Sequence, residues 1–231
     1  MAASASQPVA SQPVDGDPTV AASVVLVSAG SVQTHEWSGR TITTGFVKSP
    51  VREPVRVTTA GVEGDQRAHP TGSLPEQAVY AYAAEDYAWW ARRLDPPLRP
   101  PDLGENLTVQ GVDVSGAEIG ERWRVGDVVV EVAKPRLPCY KLAARVGGGD
   151  FIRTFADAGR PGAYLRVLEE GTVVAGDPIE VVDRPGHGVT CALVMAARFG
   201  ASDLVPRLLD APALPDDFQE WARTRIGADR A

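Results

Sequence analysis

Val128-Val129-Val130-Glu131-Val132-Ala133-Lys134-Pro135-Arg136-Leu137-Pro138-Cys139-Tyr140-Lys141-Leu142 is the stretch on which the reading of this chain turns. The apolar run from Val128 to Ala133 reads as a buried strand. Pro135 and Pro138 stop it, because each lacks a backbone donor and fixes φ. Cys139 is therefore expected on a stiff loop just past a strand end. Lys134, Arg136 and Lys141 flank it, in a chain whose net charge is -7. Cations around a thiol favour the thiolate, the form that attacks electrophiles and ligates soft metals. The competing reading is a buried structural cysteine beside a solvated basic loop.

Working upstream, Trp123-Arg124-Val125, a turn at Gly126-Asp127 and the apolar run form one β unit. Further short β runs are expected at Ala22 to Ser28, Thr41 to Val47, Pro54 to Thr59, Ala78 to Tyr82 and Asp177 to Val182. Ser38-Gly39 is a turn signal. A hairpin is expected from Ala163 to Leu168 and Thr172 to Val174, around Glu169-Glu170-Gly171. Ala83 to Leu94 is a helix, with Tyr87, Trp90, Ala91 and Leu94 on one face. Trp89 and Trp90 are read as packing residues, since no basic groove surrounds them. Asp150 to Ala158 is a second helix. Gln66 to Pro75 is a long irregular loop carrying His69. Asn106 sits between a turn and a strand, where it caps a turn or touches a ligand. After Pro185-Gly186 the period becomes helical, with Thr190 and Asp216 as N-caps.

The fold class is thus mainly β: many short strands joined by Gly/Pro turns, as in a closed or partly closed barrel. Three regions are expected: a disordered tail over 1–20, a β-barrel domain over 21–185 and a helical region over 186–231. The tail has no Lys or Arg and no long apolar run, so it does not read as a secretory signal. No run reaches the ~18–20 apolar residues of a membrane span. The acidic balance argues against nonspecific nucleic-acid binding. Two cysteines without a CxxC pair suit a reducing, cytoplasmic setting, and give no zinc site.

Taken in order, several motifs resemble the MOSC domain, the carboxy-terminal domain type of molybdenum cofactor sulfurases, and within it the YiiM-like branch. They are Glu36 to Arg40, Gly61 to Asp65, Ala78 to Tyr82, Gly104-Glu105-Asn106-Leu107-Thr108, Pro135 to Leu142 and Gly159 to Val167. Gly186 to Thr190 and the helices after it look like the three-helix tail of that branch. The resemblance implies a barrel similar to a pyruvate-kinase β-barrel domain. It implies a molybdenum cofactor (molybdopterin), with Cys139 as the catalytic, metal-ligating or sulfur-handling residue. Arg136, Lys141, Arg160, Asn106 and His69 are the implied cofactor-binding residues. The family is also described as binding pyridoxal phosphate. The implied chemistry is reduction of N-hydroxylated small molecules and bases, with electrons from an external donor protein. A Cys139 persulfide loaded by a cysteine desulfurase, or a pterin-binding domain without turnover, are the alternatives. One segment departs from the family pattern. The usual His-Gly-Gly-Pro-Asp-Lys-Ala-Val reads Gly72 to Val79 here, so Gly72 and Gln77 replace its histidine and lysine.

Overall fold

The computed structural model describes residues 21–68, 75–146, 148 and 150–228. The expected tail over 1–20 lies outside these residues, as do His69 and Gly72. In chain order the strands are β1 (Ser23–Ala29), β2 (Gln33–Trp37), β3 (Arg40–Thr44), β4 (Ser49–Val51), β5 (Val55–Thr58), β6 (Gly61–Val62), β7 (Val79–Ala83), β8 (Leu107–Gln110), β9 (Arg122–Val125), β10 (Val128–Lys134), β11 (Ala163–Glu169), β12 (Gly171–Val173) and β13 (Ile179–Asp183). The helices are α1 (Ala84–Ala91), α2 (Tyr140–Val146), α3 (Phe151–Asp157), α4 (Cys191–Arg198) and α5 (Asp216–Ala228). Short 3-10 helices cover Pro75–Gln77 and Ser202–Asp210.

The main sheet has eight strands in the order β13-β9-β10-β11-β7-β8-β1-β4. Its pairs are antiparallel except β7 with β8, which α1 connects in parallel. The sheet curls until its ends meet. Ser23 bridges Pro178, Val24 N donates to Asp177 O at 2.9 Å and Ile179 N donates to Ala22 O at 2.9 Å. The barrel expected from sequence is therefore a wrapped sheet, with β4 as a short flap on β1. Closing the edges removes unpaired backbone groups.

The apolar run at β10 is buried along its whole length. Its side chains still alternate. Val128, Val130 and Val132 point into the aliphatic core, while Glu131 faces outward between its cross-strand neighbours Arg122 and Arg166, with an ion pair to each. β7 alternates more sharply. Val79, Ala81 and Ala83 join the aliphatic core, and Tyr80 and Tyr82 face an aromatic cluster on the opposite side. This second cluster is built from α1, α2 and α3: Tyr87, Trp90, Leu142, Phe151 and Phe155 pack there. One strand thus separates two interiors.

Two expectations change. The hairpin around Glu169-Glu170-Gly171 does not form: β12 pairs with β5 in a separate sheet. The Glu170 carboxylate accepts from Thr59 N at 3.1 Å and meets Arg56, which draws the chain across to β5. α2, absent from the sequence reading, begins directly after Cys139. In the C-terminal helical region, Val194, Leu208, Leu214 and Phe218 belong to the same apolar cluster as the barrel interior. Thr190 is the N-cap of α4, accepting from Leu193 N at 3.1 Å. No helix among the described residues is long and apolar enough to cross a membrane.

Candidate functional site

Strand β10 delivers Pro135 to Cys139 beyond the sheet, at the end where β7 presents its tyrosines. Cys139 is half-buried, and its carbonyl accepts from Ala143 N at 3.1 Å at the start of α2. It packs at the edge of the aromatic cluster with Leu137, Tyr164 and Phe46. The second cysteine differs. Cys191 is fully buried in the aliphatic core, where burial raises its thiol pKa far above the ordinary range. A thiol of that kind is inert.

Arg136 is 4% exposed. Its Cζ lies 5.1 Å from the Phe46 ring centroid and 5.5 Å from that of Tyr80. Burial acts to lower its pKa, but the hydroxyls of Tyr80 and Tyr164 and the nearby Cys139 thiol outweigh it, so the guanidinium is held more firmly charged than usual. No carboxylate among the described residues forms an ion pair with it, and its Nη1 is buried without a hydrogen-bond partner. A buried, charged donor with an unmet hydrogen is costly unless something fills it. This atom points to an anionic or oxygen-rich ligand.

The other cations behave differently. The sequence places Lys134 beside the thiol, but its Nζ lies 5.7 Å from the Phe218 ring of α5. This is a correction: Lys134 belongs to the contact between barrel and tail. Lys141 is half-buried in the first turn of α2 and makes no ion pair among the described residues. Arg160 is tied to the buried carboxylate of Asp86, and its Cζ lies 5.0 Å from the Trp89 ring. Burial raises the Asp86 pKa to about 6, with the Arg160 guanidinium pulling it back down. Gly162 lets this corner approach β7: its φ is +64°, and a Cβ there would stand 2.5 Å from Ala81 O.

Asn106 carries no free amide. Its Oδ1 accepts from Tyr80 N at 3.1 Å, and its Nδ2 donates to Ser28 O at 3.2 Å and to Asp65 Oδ2 at 3.0 Å. It clamps β1, β7 and the Asp65 turn together. Asp65 also accepts from Gly30 N at 2.8 Å and forms an ion pair with Lys48. Burial lowers the Lys48 pKa, and Asp65 opposes the shift. Beside this group lies Glu105, fully buried, with Tyr87 OH donating to Oε2 at 2.8 Å and Thr108 Oγ1 donating to Oε1 at 2.9 Å. Burial raises the Glu105 pKa to about 7.

Lys48, Asp65, Glu105 and Phe46 were not singled out from the sequence as site residues. Phe46-Val47-Lys48 carried a weak signal, a lone cation after an apolar pair at a strand break. Gln77, where the family carries lysine, sits in the 3-10 helix with its backbone carbonyl bound by Arg67.

Half-buried Cys139 and the buried Arg136 guanidinium, its Nη1 unmet, thus lie together on the segment that leaves β10 of a mainly β wrapped sheet. The family model of the MOSC domain matches residues 63–180, and the chain belongs to that family. It is 34% identical to YflK, an uncharacterized protein of Bacillus subtilis, over 85% of this chain and 91% of that one. It is 31% identical to YiiM of Escherichia coli, over 78% of this chain and 81% of that one. A Gibberella moniliformis protein named reductase is 34% identical over 92% of this chain, which spans only 39% of that relative. The crystal structure of YiiM from Geobacillus stearothermophilus superposes with a TM-score of 0.72 at 27% identity, covering 89% of this chain and 99% of that one.

Proposed function

We propose that this MOSC protein is a molybdenum-cofactor-dependent oxidoreductase that cleaves the N–O bond of a small N-hydroxylated molecule. The observation that carries the reading is the pairing of half-buried Cys139 with the unpaired, buried guanidinium of Arg136. The residues present fit a phosphate-bearing pterin: Arg136 Nη1 is unmet, and Lys141 stands in the same loop-to-helix segment without an ion partner among the described residues. Charge-assisted bonds to phosphate are what such donors make best. Cys139 would hold the metal, as a soft thiolate suits molybdenum. No group of three His, Cys, Asp or Glu side chains fit to hold a metal occurs among the described residues. When bound, the cofactor supplies two-electron exchange.

The protein's part is binding, orientation and exclusion of water. Tyr80, Tyr164 and Phe46 wall off the guanidinium. Asn106 and Asp65 fix β7 against β1, and Lys48 forms an ion pair with Asp65 on that shoulder. The overall reaction takes two electrons and two protons, breaks N–O and leaves an amine and water. The electrons come from a separate reductase protein. The reductase name of the fungal relative supports reductive chemistry here.

The test is metal analysis and intact mass of protein purified from a molybdopterin-producing host. Stoichiometric molybdenum, lost in Cys139→Ser together with N–O reduction, is the expected result. Protein without molybdenum that gains one sulfur on Cys139 after incubation with a cysteine desulfurase would replace this reading with a persulfide carrier.

A further inference from the structure

Lys134 and Cys139 bound a stretch that the sheet does not hold. β10 pairs with β11 as far as Lys134 opposite Tyr164, and the register already shifts between Val132 and Lys134. The next backbone bond runs from Ala143 N to Cys139 O at 3.1 Å, at the start of α2. Among the described residues, no backbone group of 135–138 pairs with another backbone group. Pro135 and Pro138 have no N–H to offer. A stretch without ladder bonds lies where its two ends and its side chains put it.

The C-terminal tail reaches both ends. At the first, Lys134 is buried and forms no ion pair among the described residues. Its Nζ lies 5.7 Å from the centroid of the Phe218 ring on α5, whose π-face attracts the ammonium. Phe218 is itself held: Arg198 Cζ of α4 lies 5.4 Å from the same ring and 4.2 Å from that of Trp221. At the second end, Met195 of α4 is fully buried in the aromatic cluster, together with Leu142 and Ala143 of α2. Leu137, midway along the stretch, packs against both interiors.

We propose that Phe218 and Met195 are positioning residues for Cys139: α5 fixes the strand end before the thiol, and α4 fixes the helix start after it. The inference rests on Cys139 as the working thiol, which the reductase and persulfide readings share; it adds what holds that thiol beside Arg136. Arg136 is anchored on its own, against Phe46 and Tyr80. Loss of either tail contact therefore lets the sulfur drift from a guanidinium that stays.

The test is alkylation of the purified full-length chain by iodoacetate, an anion, and by iodoacetamide, which is neutral, read at Cys139 by peptide mass spectrometry. Both reagents attack the same thiolate, so the ratio of their rates reads the charge beside the sulfur. Cys191, fully buried, is labelled only if the core opens, and so reports whether each variant is folded. Phe218→Leu keeps an apolar filling and loses the π-face; Met195→Ala loosens the other end. Each should lower the iodoacetate-to-iodoacetamide ratio about 2- to 5-fold, the worth of one partly exposed charge contact. Phe218→Tyr keeps the ring and should restore the wild-type ratio. Val205→Ala, equally buried in the same tail but on neither helix, should leave it unchanged. Should Phe218→Leu label at Cys191, Phe218→Met reads the same contact with a more adaptable filling. A wild-type ratio in a folded variant at either end, or an equal fall in Val205→Ala, overturns the proposal. The ratio needs neither molybdenum nor turnover. A ratio that moves as expected in a chain that holds no molybdenum would sink the reductase reading and leave this one standing.

Discussion

The two interiors on either side of β7 are built by opposite rules. The aliphatic one holds Val, Leu, Ile and Ala from the barrel strands and continues into α4 and α5. Its Trp123 donates Nε1 to buried Glu121 at 2.8 Å. The aromatic one is stitched by side chains. Trp90 Nε1 donates to Tyr82 OH at 2.7 Å, Tyr82 OH donates to Arg160 O at 3.0 Å, and Tyr80 OH donates to Pro161 O at 2.9 Å. Glu105 and Asp86 lie in the same layer, each buried and hydrogen-bonded. Tyr and Trp join an apolar body to a polar tip, so they can fill a core and still hold a charge in place. The two cysteines follow the same division: Cys191 in hydrocarbon, Cys139 at the edge of the polar aromatic layer. The candidate site is assembled on the second interior.

Two substitutions break the comparison most sharply. Leu165→Ala empties a fully buried position of the aliphatic core, and Trp90→Ala does the same in the aromatic layer. Both are expected to cost about 2–5 kcal/mol by urea denaturation, with Trp90 at the upper end. They should differ in binding. Trp90→Ala also removes the donor that orders Tyr82 and, through it, the Arg160 loop, so affinity for an anionic probe should fall. Leu165→Ala should leave that affinity within about twofold, by the near-independence of sites that share no partner. Equal losses of binding in the two variants would show that the interiors are not separate.

The next effect is pH-dependent and belongs to the aromatic layer alone. Burial raises Glu105 to about 7 and Asp86 to about 6. In each case the folded state keeps its proton over a range where the unfolded chain has lost it. Their stabilising share is therefore complete below the unfolded carboxyl pKa and falls as pH rises through the folded value. Glu105→Gln removes one such group. Relative to wild type the variant should gain about 3 kcal/mol between pH 4.5 and 8, by the pKa difference converted to free energy. The check is denaturant midpoints of both proteins at the two pH values. A difference that does not change with pH would mean that Glu105 is stabilised as a carboxylate.

How far these rules could be read from sequence follows from how local each signal is. β9, its turn and β10 were legible, because an apolar run after Gly126-Asp127 needs no distant partner to be a strand. α1 was legible from Tyr87 and Trp90, which are buried as their spacing demands. α2 was hidden: it has seven residues, and only Leu142 and Ala143 are buried. The Glu169-Glu170-Gly171 turn looked like a hairpin, but its destination was set by Thr59 and Arg56, more than a hundred residues away. Cys139 and Arg136 were legible because two prolines and a basic cluster in an acidic chain are local facts. The Lys48–Asp65–Asn106 group was not. Its members come from segments 17 and 41 residues apart, and only the closing of β1 on β8 brings them together. Asn106 also shows why residue type alone misleads: the same amide could face a ligand or hold other segments together, and here it ties the backbones at Tyr80 and Ser28 to the Asp65 carboxylate.

The smallest effect separates the hairpin from both interiors. Trp37-Ser38-Gly39-Arg40 turns with φ of +51° at Ser38 and +72° at Gly39. Two successive residues with φ > 0 make the turn that matches strand twist, and asparagine tolerates the first position better than serine. Ser38→Asn should stabilise by about 0.5 kcal/mol, a rise of about 1–2 °C in Tm for a chain of this size. Ser38→Val should act in the opposite direction and by more, because a β-branched side chain is strained at positive φ. The hairpin strands pair only with each other, so the strain of Ser38→Val should be relieved by fraying there while the barrel keeps its own unfolding transition. The His35–Trp37 stack would fray with it. Hydrogen exchange on residues 33–44 would then rise while that of β10 stays fixed. Faster exchange of β10 in the same variant would mean that the hairpin is bound into the barrel more tightly than its strand pairing shows.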